Sequence, residues 1–200
     1  MKRYPDKFFD LAVVDPPYGK DIANRKNYGK NGGTDERWKN KREEYYSLKK
    51  WDKNIPTQEY FTELIRVSKN QIVWGGNYFG LKGGANVWDK YASGNYSDGE
   101  IAINTLEDGV KFFRYLWNGF RKEKPENRIH PTQKPVGLYS WIYGKYTSEG
   151  QNILDTHLGS GSNRIAAYKA NLSFIGCELD EEYFEKQEAR FKKFVCDGKI

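Results

Sequence analysis

Asn152-Ile153-Leu154-Asp155-Thr156-His157-Leu158-Gly159-Ser160-Gly161 carries a short apolar run into a glycine-spaced turn. The run from Asn152 to Asp155 has the length of a buried strand and is too short for a helix. Gly159-Ser160-Gly161 then reads as a tight turn. Beyond it, Asn163 to Ala170 reads as a helix, Ser173 to Leu179 as a second strand, and Glu181 to Phe194 as a charged amphipathic helix. Strands alternating with helices in this way predict an α/β domain around a mostly parallel sheet.

Upstream, Phe9-Asp10-Leu11-Ala12-Val13-Val14-Asp15 is another short apolar run, closed by Pro16-Pro17-Tyr18-Gly19. It predicts a buried strand with Asp15 at its carboxyl end. Thr57 to Ser68 repeats apolar residues at helical spacing behind Pro56, and Gln71-Ile72-Val73-Trp74 runs into Gly75-Gly76-Asn77. Together these segments predict a strand, a crossover helix and a parallel strand. The middle third changes character. Asn86-Val87-Trp88-Asp89, Glu100 to Asn104 and Phe112 to Trp117 read as short strands separated by Gly, Asn and Ser, which suggests an antiparallel edge. Pro135 to Tyr146 reads as a helix.

The chain has 200 residues, which suits a single domain spanning 1–200, and a chain of this length buries roughly 70% of its unfolded surface. Mean hydropathy is −0.89 with 30% charged and 16% aromatic residues, so the composition is polar outside and ring-rich inside. No stretch approaches the run of about 18 apolar residues that a membrane span takes. The start, Met1-Lys2-Arg3-Tyr4-Pro5-Asp6, holds no apolar signal core, and a soluble, cytoplasmic protein is expected. Cys177, Cys196, His130 and His157 give neither a disulfide framework nor a metal-ligand spacing, so no metal is expected. The net charge of +6 favours a polyanionic partner. Between Lys20 and Lys53, eleven Lys and Arg stand against six Asp and Glu, so this segment carries five of those six charges.

Asp155 to Gly161, followed by Glu178 at the end of the next strand, is the layout of a nucleotide or nucleoside site. The glycines admit close backbone approach, and the carboxylate can accept hydrogen bonds from ribose hydroxyls. A dinucleotide fingerprint would place a third glycine where Arg164 stands, so a cofactor without a pyrophosphate fits better, and S-adenosylmethionine is one. A plain strand-to-helix turn is the competing reading.

Asp15-Pro16-Pro17-Tyr18 is the sharper signal. An adenine amino group is a poor nucleophile because its lone pair is delocalised into the ring. The Asp15 carboxylate and the Pro16 carbonyl, held rigid by Pro17, could take both amino hydrogens and aim the nitrogen. Tyr18 offers a face for a base extruded from the duplex. A proline-stiffened turn with a capping Asp is the alternative.

Asp15-Pro16-Pro17-Tyr18, then His130-Pro131-Thr132-Gln133-Lys134-Pro135, then Asp155 through Gly161 together resemble the amino-methyltransferase family that modifies DNA bases. Their order is similar to its β group, in which the catalytic motif precedes the cofactor motif, and the likeness covers most of the chain. The resemblance implies a Rossmann-like class I methyltransferase fold with permuted motif order and S-adenosylmethionine as cofactor. It implies double-stranded DNA as partner, in a bacterial or phage restriction-modification setting. Asp15, Pro16, Pro17 and Tyr18 match the catalytic motif. Asp155, Gly159 and Gly161 match the cofactor loop and Glu178 the ribose acid, Ser162 departs from the family's motif there but keeps a hydroxyl, and Thr132, Gln133 and Lys134 match the segment that helps hold the methionine end. His157, next to the turn, could touch the cofactor, with a structural histidine as the alternative. Residues of about 84–128 look like the family's small target-recognition insertion. The basic stretch 20–53, with some helix near Glu43 to Lys50, reads as a mobile loop whose Lys39, Lys41 and Arg42 would track DNA phosphates. A solvated loop is the bland alternative.

Family members of this order usually begin with a further strand and an acidic residue. This chain begins at Met1-Lys2-Arg3, so either the sheet lacks an edge strand here or the start is a truncation. Carbon-5 cytosine chemistry would need a nucleophilic cysteine, typically after proline, whereas Cys177 follows Gly176 and Cys196 follows Val195. Asp as the first motif residue resembles adenine-N6 enzymes, and Ser is commoner in cytosine-N4 ones. Adenine N6 is the expected acceptor. Cytosine N4, an impaired DNA-binding relative, and an RNA or protein amino-methyltransferase remain as alternatives. The oligomeric state stays open, with a homodimer as one admissible assembly.

Overall fold

The computed structural model describes residues 1–19, 54–91, 97–117 and 128–197. β1 (Phe9–Val14) is buried along nearly its whole length, as befits a strand covered on both faces. α1 (Gln58–Val67) starts at Thr57, whose side chain accepts the Tyr60 N–H, and it carries Glu59 in its first turn and Arg66 in its last, both favourable to the helix dipole. It ends without a loop: Ser68 returns its hydroxyl to the Leu64 carbonyl at 2.5 Å and begins β2 (Ser68–Trp74). β1 and β2 pair in parallel, from Phe9 beside Ser68 to Val14 beside Val73.

A single turn of 3₁₀ helix (Gly76–Phe79) leads to β3 (Gly84–Asp89), β4 (Gly99–Asn104) and β5 (Val110–Arg114). Thereafter come α2 (Val136–Tyr146), β6 (Asn152–Asp155), α3 (Ser162–Lys169), β7 (Ser173–Gly176) and α4 (Glu181–Asp197). The strands form one seven-stranded sheet in the order β5-β3-β4-β2-β1-β6-β7. The sheet is mostly parallel, as expected, but the antiparallel strand is not at the edge. β4 runs against both β2 and β3 and lies inside the sheet, while β5 pairs in parallel with β3 outside it. β7 pairs with β6 and closes the other side of the sheet as its outermost strand among the described residues.

Strand alternation divides the core in two. On one face Leu11, Val13, Ile72, Trp74 and Ile153 meet Leu138, Ile142 and Tyr143 of α2, Ile165 of α3 and Phe194 of α4. On the other, Ala12, Val14, Val73 and Leu154 meet Phe61, Leu64 and Val67 of α1. All the parallel strands therefore end at one rim. Because β4 is reversed, its amino end comes to that same rim: Glu100 pairs with Trp88 and Ala102 with Trp74. The departures from the expected spans are small: β2, β3 and β5 each begin two or three residues early, and the larger of the others are at carboxyl ends. β5 ends at Arg114 and not Trp117, β7 ends at Gly176 and not Leu179, and α4 runs on to Asp197. Among the described residues no helix is long and apolar enough to cross a membrane, and no cluster of His, Cys, Asp and Glu could hold a metal ion.

Candidate active site

Asp15 follows β1 directly and stands at the rim where β2, β4 and β6 bring their own ends. Its Oδ1 accepts the Tyr18 hydroxyl at 2.5 Å, and its Oδ2 accepts the Lys134 ammonium at 2.5 Å. Each oxygen of an ionised carboxylate has two lone pairs, so one acceptor position on each is left open. The Tyr18 ring lies on the backbone of Gly75, whose φ is +67°. A Cβ added at Gly75 would come within 2.3 Å of Tyr18 Cε1, so no other residue fits there without moving the ring. Tyr78 and Phe79 complete the aromatic wall, with centroids 5.3 and 6.2 Å from that of Tyr18. Burial first, then the neighbouring charges of Asp15 and Glu100, push the Tyr18 hydroxyl well above its ordinary range, so it stays protonated and donates.

Lys134, expected with the residues that hold the methionine end, places its ammonium on Asp15. It also reaches Glu100 Oε2 at 2.9 Å, and it lies 5.4 Å from the centre of the Trp74 ring. Glu100 in turn pairs with Lys90. Burial opposes ionisation of Glu100, but the charges of Lys134 and Lys90 win and hold its carboxyl down at about 2. Burial likewise disfavours a charged Lys134, and Asp15 and Glu100 overcome it and hold the ammonium above its ordinary range. Charges thus alternate along Asp15, Lys134, Glu100 and Lys90. Sequence reasoning missed Glu100, Lys90 and Gly75 as parts of this cluster. A Gly-Gly pair after a buried strand was the one local signal available, because the other contacts depend on β4 being reversed within the sheet.

On the neighbouring strand, β6 delivers the turn. Gly159 and Gly161 have φ of +51° and +71°, a region that only glycine enters cheaply. At Gly161 space matters too, since an added Cβ would meet Gln187 at 3.0 Å. Asp155 is buried beneath the turn. Its Oδ1 accepts the His157 N–H at 2.9 Å and its Oδ2 accepts Asn163 Nδ2 at 2.9 Å. Burial, helped by Asp15 and Glu178, pushes its carboxyl up to about 7 against those hydrogen bonds. Both N–H groups of the Asn163 amide are used, since Nδ2 also donates to the Val13 carbonyl at 3.0 Å, and Oδ1 accepts the Tyr143 hydroxyl. One amide side chain therefore ties β1, β6, α2 and α3 together under both motifs.

Glu178 lies beside the same turn. Its Oε1 accepts the N–H groups of Leu179 and Asp180, and its Oε2 accepts the Gly159 N–H at 2.8 Å. By lone-pair count Oε1 is filled and Oε2 keeps one acceptor position. Ser162 is buried, accepting Arg190 Nη1 at 3.0 Å and lying 3.1 Å from the Ser160 hydroxyl. Gln133 faces inward, its Oε1 accepting the Ile129 N–H and its carbonyl the Trp117 indole N–H. Thr132 shares a hydrogen bond with His130 Nδ1 at 3.1 Å. The His157 ring packs against Tyr60, and its Nδ1 lies 3.0 Å from the Thr156 hydroxyl. Lys39, Lys41 and Arg42, with the whole 20–53 stretch, lie outside the described residues.

A bare turn of positive-φ glycines, with a carboxylate at hand that retains one acceptor position, fits a ribose-bearing cofactor. Pro16 is buried and Pro17 half-buried beside it, just past the end of the adjoining strand. The rim can therefore hold a donor over β6 and an acceptor over β1.

Comparison with known proteins agrees with this geometry. A family described as DNA methylase matches residues 82–189. The type II methyltransferase M2.DpnII of Streptococcus pneumoniae is 30% identical over 144 residues, 71% of this chain and 49% of its own length. The type II methyltransferase M2.LlaDCHI of Lactococcus lactis subsp. cremoris is 29% identical over 150 residues, 74% of this chain and 51% of its own. The chain spans about half the length of the curated relatives it matches. In fold it is similar to the crystal structure of the M1.HpyAVI-SAM complex, with a TM-score of 0.59 at 18% identity over 94% of this chain and 90% of that one. With the matched family covering more than half of the sequence, from β3 into α4, the chain belongs to the N6/N4 DNA methylase family.

Proposed function

We propose that this chain transfers a methyl group from S-adenosylmethionine to the exocyclic amino nitrogen of a base in DNA, adenine N6 being the acceptor. One observation carries the reading. Asp15 and the Gly159–Gly161 turn, far apart in sequence, sit at the ends of adjacent parallel strands, with Leu11 beside Ile153 and Ala12 beside Leu154. The family membership and the M1.HpyAVI-SAM fold neighbour support it.

S-adenosylmethionine, when bound, supplies an electrophilic methyl carbon on a sulfonium sulfur. Gly159, Gly161 and Glu178 are the residues that would hold it, Glu178 through its one open acceptor position. Asp155 lies beneath the same turn on β6, and from the segment before α2 the His130 ring, hydrogen-bonded to Thr132, comes within 3.8 Å of where a Gly159 Cβ would stand. The open lone pairs of Asp15, with the Pro16 carbonyl, take the amino hydrogens of the base. As the amino lone pair forms the new carbon–nitrogen bond, the methyl–sulfur bond would break with its electron pair left on sulfur as a neutral thioether. The positive charge that develops on nitrogen faces the fixed Asp15 carboxylate and is discharged when the nitrogen gives up one amino proton to water. Tyr18, which lies on Gly75 and next to Tyr78, supplies a rigid ring for the extruded base. Lys39, Lys41 and Arg42 serve as phosphate contacts.

The reading is tested by incubating the chain with methyl-labelled S-adenosylmethionine and unmodified DNA, then identifying the labelled nucleoside. N6-methyladenine is expected. N4-methylcytosine would move the acceptor, and cofactor and DNA binding without transfer would make the chain an impaired DNA-binding relative.

A further inference from the structure

Lys134 is almost fully enclosed, with 4% of its side chain exposed, yet it serves two carboxylates, at 2.5 Å from Asp15 and 2.9 Å from Glu100. An ammonium paired with Asp15 alone would neutralise it. A neutralised carboxylate accepts hydrogen bonds less strongly and opposes developing positive charge less effectively. A second carboxylate on the far side of the ammonium divides its charge and draws it from Asp15. Glu100 has that place. Its own Lys90 contact keeps it ionised and fixes its direction, so the four charges sum to zero while Asp15, the group nearest the acceptor, keeps its negative character.

We propose that Glu100 is a positioning residue for the methyl-acceptor site: by sharing the Lys134 ammonium with Asp15, it sets how strongly Asp15 can hold the amino group. The inference rests on the amino-methylation reading and deepens it. Glu100 touches no substrate; it acts through Lys134. Its place at the site depends on the reversal of β4, which brings the first residues of that strand to the rim.

The effect belongs in the transition state, where the charge on nitrogen is greatest, so it shows in kcat and not in KM. With the full chain, Glu100→Gln is expected to lower kcat about tenfold while KM for DNA and the Kd of S-adenosylmethionine stay within about twofold. Glu100→Asp, which keeps the charge, should restore most of the loss. A second readout needs no turnover. Asp15→Asn and Lys134→Met, combined in a double-mutant cycle of thermal stability, report the coupling of that pair. The coupling should rise in the Glu100→Gln background, because the ammonium then belongs to Asp15 alone. Unchanged coupling, unchanged kcat, or a kcat loss that follows the melting temperature and is not restored by Glu100→Asp would overturn the proposal. If the wild-type chain methylates no DNA, the function reading fails, whereas the coupling measurement still decides the role of Glu100.

Discussion

Asp15 is held from two sides, by the Tyr18 hydroxyl and the Lys134 ammonium, so its replacement should preserve shape while removing charge. Asp15→Asn keeps an oxygen for Tyr18 and leaves Lys134 its Glu100 partner. Methyl transfer should fall by at least about a hundredfold, the scale of losing a group aimed at developing charge, while the Kd of S-adenosylmethionine stays within about twofold. A variant retaining most of the turnover would remove Asp15 from the acceptor role. Glu178→Ala tests the other half of the rim. It deletes the acceptor for the Gly159 N–H as well as the open position on Oε2, and cofactor binding should weaken by about 1.5–3 kcal/mol, as for a lost charge-assisted hydrogen bond. Unchanged affinity by calorimetry would place the ribose elsewhere. The placement of Asp15, Pro16, Tyr18, Gly159, Gly161 and Glu178 at the rim was legible in sequence because each follows a short apolar run closed by turn residues. The ion pair between Lys134 and Asp15 was not, since it joins residues 119 positions apart, and nothing local distinguishes a lysine that binds ligand from one that binds a carboxylate.

At the scale of elements, the units β1–α1–β2 and β6–α3–β7 were readable because period and punctuation are local signals. The place of β4 was not. The antiparallel character of the middle third could be read from its short strands, but whether such a strand lies at the rim or inside the sheet is decided by pairing with distant chain. The overlong expectation for β5 has a similar cause. Tyr115 and Trp117 look strand-like by type, yet past Arg114 the chain serves the core: the Trp88 indole donates to the Tyr115 carbonyl at 3.1 Å, and Trp117 is 3% exposed. Tertiary packing has overridden propensity there. Asn163 shows how two readable units are joined by one unreadable contact. Replacing it by Leu would leave the buried Val13 carbonyl, Asp155 Oδ2 and Tyr143 hydroxyl without their Asn163 partner. Each orphaned buried group costs about 1–3 kcal/mol, so Asn163→Leu should rank among the most destabilising single changes, with a lower midpoint in chemical denaturation. A midpoint close to wild type would mean that the two motifs are joined chiefly by packing.

For the whole molecule, the buried titratable groups predict how stability responds to pH. Burial first, then Lys134 and Arg128 against the opposing charge of Asp180, holds His130 down at about 3, and burial holds His157 at about 4. In the unfolded chain both protonate near the ordinary histidine value of about 6.5. Their contribution to stability is therefore present above that value and is lost as pH falls toward their folded values. Asp155 acts in the opposite sense. Raised to about 7, its contribution is full below the ordinary carboxylate range and is lost as pH rises toward neutrality. Between pH of about 5 and 6 the unfolded chain holds most of two protons on histidines that stay neutral in the folded chain, and it lacks one that the folded Asp155 keeps. The net difference is most of one proton, and wild-type stability should rise by about 1 kcal/mol per pH unit across that window. Glu100, held at about 2, acts only at lower pH, and the lowered carboxyls of Asp10, Glu63, Glu107 and Glu188 likewise act at or below the ordinary carboxylate range. His130→Phe keeps a ring against Tyr183, 4.3 Å away by centroid in the native pair, and removes one of the two histidine contributions. The remaining histidine and Asp155 then cancel, and stability measured by denaturant titration at several pH values should become flat across the window. A variant with the wild-type slope would show that His130 takes up its proton in the folded chain, and that the segment before α2 opens to water well above the pH at which the fold is lost.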